Sequence, residues 1–165
     1  MGVKLGLPQI APAEARLFIL GSLPGDVSLA ERRYYAHPTN QFWLLLGHAI
    51  GEVLQPLPYE ERLQRLADRR VGLWDVIASA KRKGSLDQAI RDAEHNQLEH
   101  LLLDFPELRA IAFNGATAAS VGRKLIGKPR AGLALIDLPS SSAANTRPFE
   151  EKACVWATVR QFVQH

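Results

Sequence analysis

At 165 residues, with 47% hydrophobic and 22% charged side chains, the chain has the size and composition of one ordinary globular domain and can bury a core without covalent staples. Its one cysteine, Cys154, excludes disulfide frameworks, multi-cysteine zinc sites and four-cysteine iron–sulfur clusters. Short apolar runs and an N-terminus unlike a signal peptide set membrane and secretion aside, so a cytoplasmic protein is expected. The net charge of +3 and a pI near 9.2 lean towards an anionic partner, with basic clusters at Arg32-Arg33, Arg69-Arg70, Lys81-Arg82-Lys83 and 123–130 and no acid between Gly115 and Ile136.

The first dozen residues, with Pro8 and Pro12, read as a loosely held extension, covering 1–14 of a single domain 1–165. An apolar run at 17–20 predicts a buried strand, and Gly21-Ser22-Leu23-Pro24-Gly25 follows as its exit turn. Next, Tyr34-Tyr35-Ala36-His37-Pro38-Thr39-Asn40-Gln41-Phe42-Trp43 gathers aromatics, a histidine and an asparagine in a loop that runs into a predicted helix over 41–53. Taken alone, Asn40 reads equally as a helix cap, and Phe42 and Trp43 as core.

A helix over 58–68 has a proline in its first turn, and a second strand over 71–74 ends at Asp75. Helices are predicted over 86–92, with Ser85 and Gln88 as a capping box, and over 97–103, with Asn96 and Glu99 likewise. His95 and His100, five apart, lie about 140° from each other on a helix and do not make a zinc pair. A strand over 110–113 leads to Asn114-Gly115 and a helix over 116–126. A last strand over 133–138 leads to Pro139-Ser140-Ser141-Ser142, and a helix over 149–163 closes the chain. Strands alternating with helices predict a three-layer α/β/α domain around a central four-stranded, mainly parallel sheet. Ligands bind beyond the carboxyl ends of such strands, so the loops there carry the candidate site.

In order, these loops resemble the uracil-DNA glycosylase superfamily, over about residues 17–145. Gly21-Ser-Leu-Pro-Gly25, the Ala36-His-Pro-Thr-Asn-Gln-Phe-Trp43 string and Leu138-Pro-Ser-Ser-Ser142 look most like its DNA-deoxyinosine (hypoxanthine) and mismatch-specific branches. The resemblance implies removal of a deaminated base, hypoxanthine or uracil, from DNA. It also implies that Asn40 is catalytic. Two departures stand out: Leu23 and Leu138 occupy positions where other branches carry an asparagine and a histidine.

Cleavage of a base from deoxyribose needs donors around the base and an oriented water, and no metal or cofactor. On that chemistry Asn40 orients water, the backbone of Ser22, Leu23 and Gly25 meets a base carbonyl, Tyr35 or Phe42 stacks on the flipped base, and Asn114 reads its edge. Ser140, Ser141 and Ser142 would grip phosphates, with His37 and Asp75 in support and Asp87 a further cleft carboxylate; Asn145 fixes the serine loop or caps the last helix. The expected partner is DNA holding a deaminated or mismatched base, bound by a monomer. Two other readings stay open: a non-catalytic nucleic-acid-binding module that keeps the fold, and a hydrolase of nucleotides or small molecules.

Overall fold

The computed structural model describes residues 2–163. In chain order its elements are β1 (Val3–Leu5), β2 (Leu17–Gly21), α1 (Asp26–Glu31), α2 (Phe42–Ile50), α3 (Tyr59–Asp68), β3 (Val71–Asp75), β4 (Ile77–Lys81), β5 (Arg91–His95), α4 (Glu99–Asp104), β6 (Ala110–Asn114), α5 (Ala116–Ile126), β7 (Ala134–Leu138) and α6 (Phe149–Trp156). Short 3-10 turns lie at Asp87–Ala89 and Ala157–Phe162.

Four strands, in the order β3-β2-β6-β7, form a parallel sheet. Every residue of β2 and β6 is buried, which is why both read as unbroken apolar runs: central strands of a parallel sheet are covered on both faces. Side chains alternate between two cores. Leu17, Ile19, Ala110 and Ala112 pack with Phe42, Leu45 and Leu46 of α2 and Trp156 of α6, whereas Phe18, Leu20, Ile111 and Phe113 pack with Leu101 of α4 and Ala118 and Ala119 of α5. The expected three layers and central sheet are therefore the observed ones. The helices that follow β2 and the helix that follows β6 cover opposite faces, so the crevice between the carboxyl ends of β2 and β6 is the switch point where an open parallel sheet places its ligand.

A second sheet, antiparallel and ordered β1-β4-β5, was not legible in the sequence. It overturns the helix predicted over 86–92, where a single 3-10 turn leads into β5. The expected capping residue Ser85 instead accepts a hydrogen bond from the Asp26 amide of α1, a helix the sequence reading also missed. Strand β5 is mostly exposed, so it carries little apolar signal, and only its pairing with β4 makes it a strand. The opening residues read as a loose extension are likewise paired: Val3, Lys4 and Leu5 lie against Lys81, Ala80 and Ser79, and Ile10 bridges Leu73. His95 lies in β5 and His100 in α4, so they share no helix. Helix α2 stops at Gly51, which takes the left-handed backbone (φ 76°) of a C-terminal cap. The predicted last helix tightens into a 3-10 turn after Trp156.

Candidate active site

The carboxyl ends of the four parallel strands bring together the Gly21–Gly25 loop, Asp75, Asn114-Gly115 and the serine loop after Leu138. The loop that carries Tyr35 and Asn40 leads into α2 from above this end.

One cluster is a chain of hydrogen bonds centred on Ser141, which is 1% exposed. The Asn114 amide gives its Nδ2 to Ser141 Oγ (2.9 Å) and takes the Ser141 N–H on Oδ1 (2.9 Å), while Ser141 Oγ donates to Asn40 Oδ1 (2.8 Å). Asn40 Oδ1 also accepts the Phe42 N–H at the start of α2 (2.9 Å), and the Gln41 N–H donates to the Ser141 carbonyl (2.9 Å). Asn40 thus joins the start of α2 to the serine loop through one oxygen. With Oδ1 pinned twice, the half-buried amide is fixed in orientation and its Nδ2 meets no acceptor among the described residues.

These bonds change the roles expected for two residues. Asn114 turns its acceptor and one of its two donor hydrogens onto Ser141, and Ser141 is a buried clamp instead of a phosphate contact. Ser140 and Ser142 stay partly exposed at the loop, where Ser140 Oγ accepts the Ser142 N–H and Ser142 Oγ the Ala144 N–H. Asn145 fixes this loop, donating to the Ser140 carbonyl (3.1 Å), while Pro148 occupies the N-cap of α6. Gly115, at φ 101°, lets the chain turn under Ser140, whose Cβ a side chain at 115 would meet at 3.2 Å.

The second cluster surrounds Gly21. A Cβ there would lie 2.6 Å from Asp75 Oδ1 and 2.8 Å from the Tyr35 hydroxyl, so only glycine lets both polar groups close on the strand end. Tyr35 has a left-handed backbone (φ 54°), uncommon outside glycine, and its ring lies flat on Phe42 with centroids 3.8 Å apart. Phe42 is wholly buried beneath it, so of the two rings expected to stack on a base only Tyr35 has exposed surface. The Tyr35 hydroxyl and Asp75 Oδ2 are buried and meet no hydrogen-bond partner among the described residues. Burial, reinforced by the nearby Asp87 and partly offset by Arg82, pushes the Asp75 carboxyl up to about 7; burial and then the Asp75 charge raise the Tyr35 hydroxyl.

The glycine-proline loop is held by a residue the sequence reading placed in a basic cluster. Arg82 is fully buried, and its guanidinium donates to the carbonyls of Leu23, Pro24 and Gly84. Its place in a Lys-Arg-Lys run hides this role, since nothing local marks which of the three turns inward. Ser22 Oγ donates to Asp87 Oδ1 (2.5 Å). Leu23 and Leu138 are core residues at 6% and 3% exposure, so Leu23 can serve the site only through its backbone. Lys152, also missed, is buried and ties α6 to the site loops through Gln41 Oε1 (3.0 Å) and the Asn145 carbonyl (2.8 Å). His37 is exposed and its Nδ1 bonds Thr39, so it stays apart from both clusters.

Comparison with known proteins agrees with this arrangement. The sequence matches the family model of the Uracil DNA glycosylase superfamily over residues 7–163. It is 42% identical over 157 residues to the "Hypoxanthine DNA glycosylase" of Methanosarcina acetivorans, covering 95% of this chain and 98% of that one. The protein of the same name from Methanosarcina barkeri is 41% identical over 154 residues, at 93% and 96% coverage. The fold is similar to the solution NMR structure of a Methanosarcina acetivorans protein provisionally described as a uracil DNA glycosylase, with a TM-score of 0.86, 41% identity and coverage of 98% and 99%.

Proposed function

Because the chain belongs to the uracil DNA glycosylase superfamily, we propose that it is a monofunctional DNA glycosylase that flips a deaminated base out of DNA, hypoxanthine foremost, and hydrolyses its bond to deoxyribose. The observation that carries the reading to particular atoms is the Asn40 amide, pinned through Oδ1 by Phe42 and Ser141 with Nδ2 free of acceptors among the described residues. The bond between C1′ and the base nitrogen breaks and its electron pair leaves with the base. A water oxygen bonds C1′, and the proton that water loses ends, through solvent, on the base. An amide cannot act as a base at neutral pH. Asn40 Nδ2 instead donates to the water oxygen and holds it so that its second lone pair faces C1′, which suffices where the sugar already has oxocarbenium character.

Tyr35 offers the ring on which the flipped base stacks, backed by Phe42, and Ser22, Leu23 and Gly25 line the same end of the sheet. Ser140 and Ser142, partly exposed, contact flanking phosphates, while Ser141 and Asn114 position Asn40. His37 is left as a rim residue. The protein works as a monomer on chromosomal DNA in the cytoplasm.

The test is alkaline cleavage of labelled oligonucleotides that carry one hypoxanthine, uracil, xanthine or mispaired thymine. Wild type should release hypoxanthine. Asn40→Ala should lose at least 100-fold in rate while still binding DNA, and Asn40→Asp, which keeps the acceptor to Phe42 and Ser141 but removes the donor, should lose as much. No release from any of these bases would overturn the reading in favour of a binding module, and wild-type rates in both variants would remove Asn40 from the chemistry.

A further inference from the structure

Lys152 is a buried cation that the proposed chemistry leaves unused. It is 1% exposed, whereas every other lysine among the described residues keeps some contact with solvent. Its ammonium donates to Gln41 Oε1 (3.0 Å) and to the Asn145 carbonyl (2.8 Å), both neutral acceptors, and meets no carboxylate among the described residues. Lysine is almost never fully buried without a countercharge, because a charge taken out of water costs more than neutral acceptors return. We infer that the missing countercharge is a backbone phosphate of bound DNA, seated at the serine loop and held there by the field of the Lys152 ammonium. The inference rests on the glycosylase reading, in which Ser140 and Ser142 meet flanking phosphates, and adds to it the charge that holds one of them.

Three features direct this charge at the loop. The side chain bridges both segments that carry the site: Gln41 follows Asn40 and gives its N–H to the Ser141 carbonyl, and Asn145 closes the serine loop through its bond to the Ser140 carbonyl. The ammonium is therefore one hydrogen bond from the loop backbone. Ser140 and Asn145 also line an open hollow of about 540 Å³, together with Gly115, Ala116, Asp137 and Arg147. Its acid, Asp137, is engaged by Arg123 (3.0 Å), and its cation, Arg147, by Glu151 (3.4 Å), so the charge that the hollow's own rim offers a phosphate is largely spent.

The third feature is the helix on which Lys152 sits. It stands in the first turn of α6, where the aligned peptide dipoles favour anions and oppose a cation. Glu150 and Glu151 share that turn, but both are exposed, and Glu151 is bonded to Arg147. Burial pulls the ammonium below the ordinary lysine value. The free protein thus holds a cation against burial and against the helix dipole, with no ion partner. A phosphate at the loop offsets all of these. It faces the ammonium through protein instead of water, so salt screens the pair far less than it screens an exposed arginine. A phosphate fixed in this way also holds the backbone beside the extruded nucleotide, where the sugar has to stay in line with Asn40.

The test is a binding cycle on a duplex with one hypoxanthine whose sugar carries a 2′-fluorine, which slows loss of the base. Each phosphate flanking the lesion is replaced in turn by an uncharged methylphosphonate, and affinity is measured for wild type and for Lys152→Met. Lys152→Met, with its cooperative thermal melt retained, should bind the unmodified duplex about tenfold more weakly. At one position the methylphosphonate should cost wild type a similar factor and cost Lys152→Met little more, because the same interaction is already gone. A merely structural brace gives losses that add at every position; such additivity, or unchanged affinity in Lys152→Met, would overturn the inference. Should Lys152→Met fail to fold, the ammonium of wild type is followed by NMR. Bound DNA should raise the pH at which it loses its proton, and an unmoved titration would overturn the inference. Release of ordinary hypoxanthine by wild type, measured alongside, judges the glycosylase reading separately: an inactive wild type would overturn that reading, while the binding cycle still decides the phosphate pair.

Discussion

Asn40 and Asp75 show two ways in which the fold sets the state of one polar side chain. Asn40 is immobilised by bonds to its oxygen, so its donor is aimed without freedom to turn away. Asp75 is left with an unmet oxygen in a site that burial has made apolar enough to hold it neutral, and the same burial makes it a liability for stability. Its folded value, about 7, lies above the ordinary carboxylate value of 3.8. Below the lower value both states are protonated. Between the two the unfolded chain has ionised while the folded chain has not, so stability falls as pH rises from about 4 to about 7 and this contribution is flat above. Thermal melts should therefore show Asp75→Asn equal to or less stable than wild type near pH 4 and more stable near pH 8, with a shallower slope between. Parallel curves would show that the carboxyl titrates normally in the folded protein.

Among the elements, the small antiparallel sheet has the least expected role. It is polar and outlying, yet it delivers Arg82 beneath the glycine-proline loop and Asp87 beside Ser22. Strand β1 secures it, with Lys4 bonding both Asp26 and the Gly84 carbonyl. Replacing Arg82 by Met would leave the Leu23 and Pro24 carbonyls without their donor, while the Gly84 carbonyl keeps Lys4. Burying such groups unpaired costs about 1–3 kcal/mol each, partly recovered by relaxation, so a loss on the order of 3 kcal/mol is expected in denaturant melts. Release of hypoxanthine should fall at the same time, with DNA binding less affected, because the loop proposed to line the base pocket would lose its support. A variant as stable as wild type would show that the guanidinium is dispensable and that the loop carbonyls find other donors.

Across the molecule, the basic side chains are largely engaged within the protein. Arg65 and Arg69 pair with Glu52, Arg70 with Glu14, Arg123 with Asp137 and Arg147 with Glu151, while Arg130 donates to the carbonyls of Leu102, Phe105 and Leu108. The pI therefore overstates what is free to neutralise phosphates. Binding of the Asn40→Ala variant to duplex DNA should weaken with salt at a logarithmic slope of about −3, corresponding to roughly three displaced counterions; a slope near −8 would reveal a far more extensive backbone footprint. The amino-acid sequence by itself determined the parallel sheet, because β2 and β6 are covered on both faces and their apolar runs need no partner to be read, and it also determined the order of loops that carries the family. Only the tertiary structure decided the rest, because hydrogen bonds between residues far apart in the chain have no local signature: Asn114 and Ser141 spend themselves on positioning Asn40, Arg82 turns inward from a charged run, and β5 becomes a strand through its pairing with β4. Asp75 belongs to both, since its place at a strand end is legible in the sequence while its burial and its unmet oxygen are set by what folds around it.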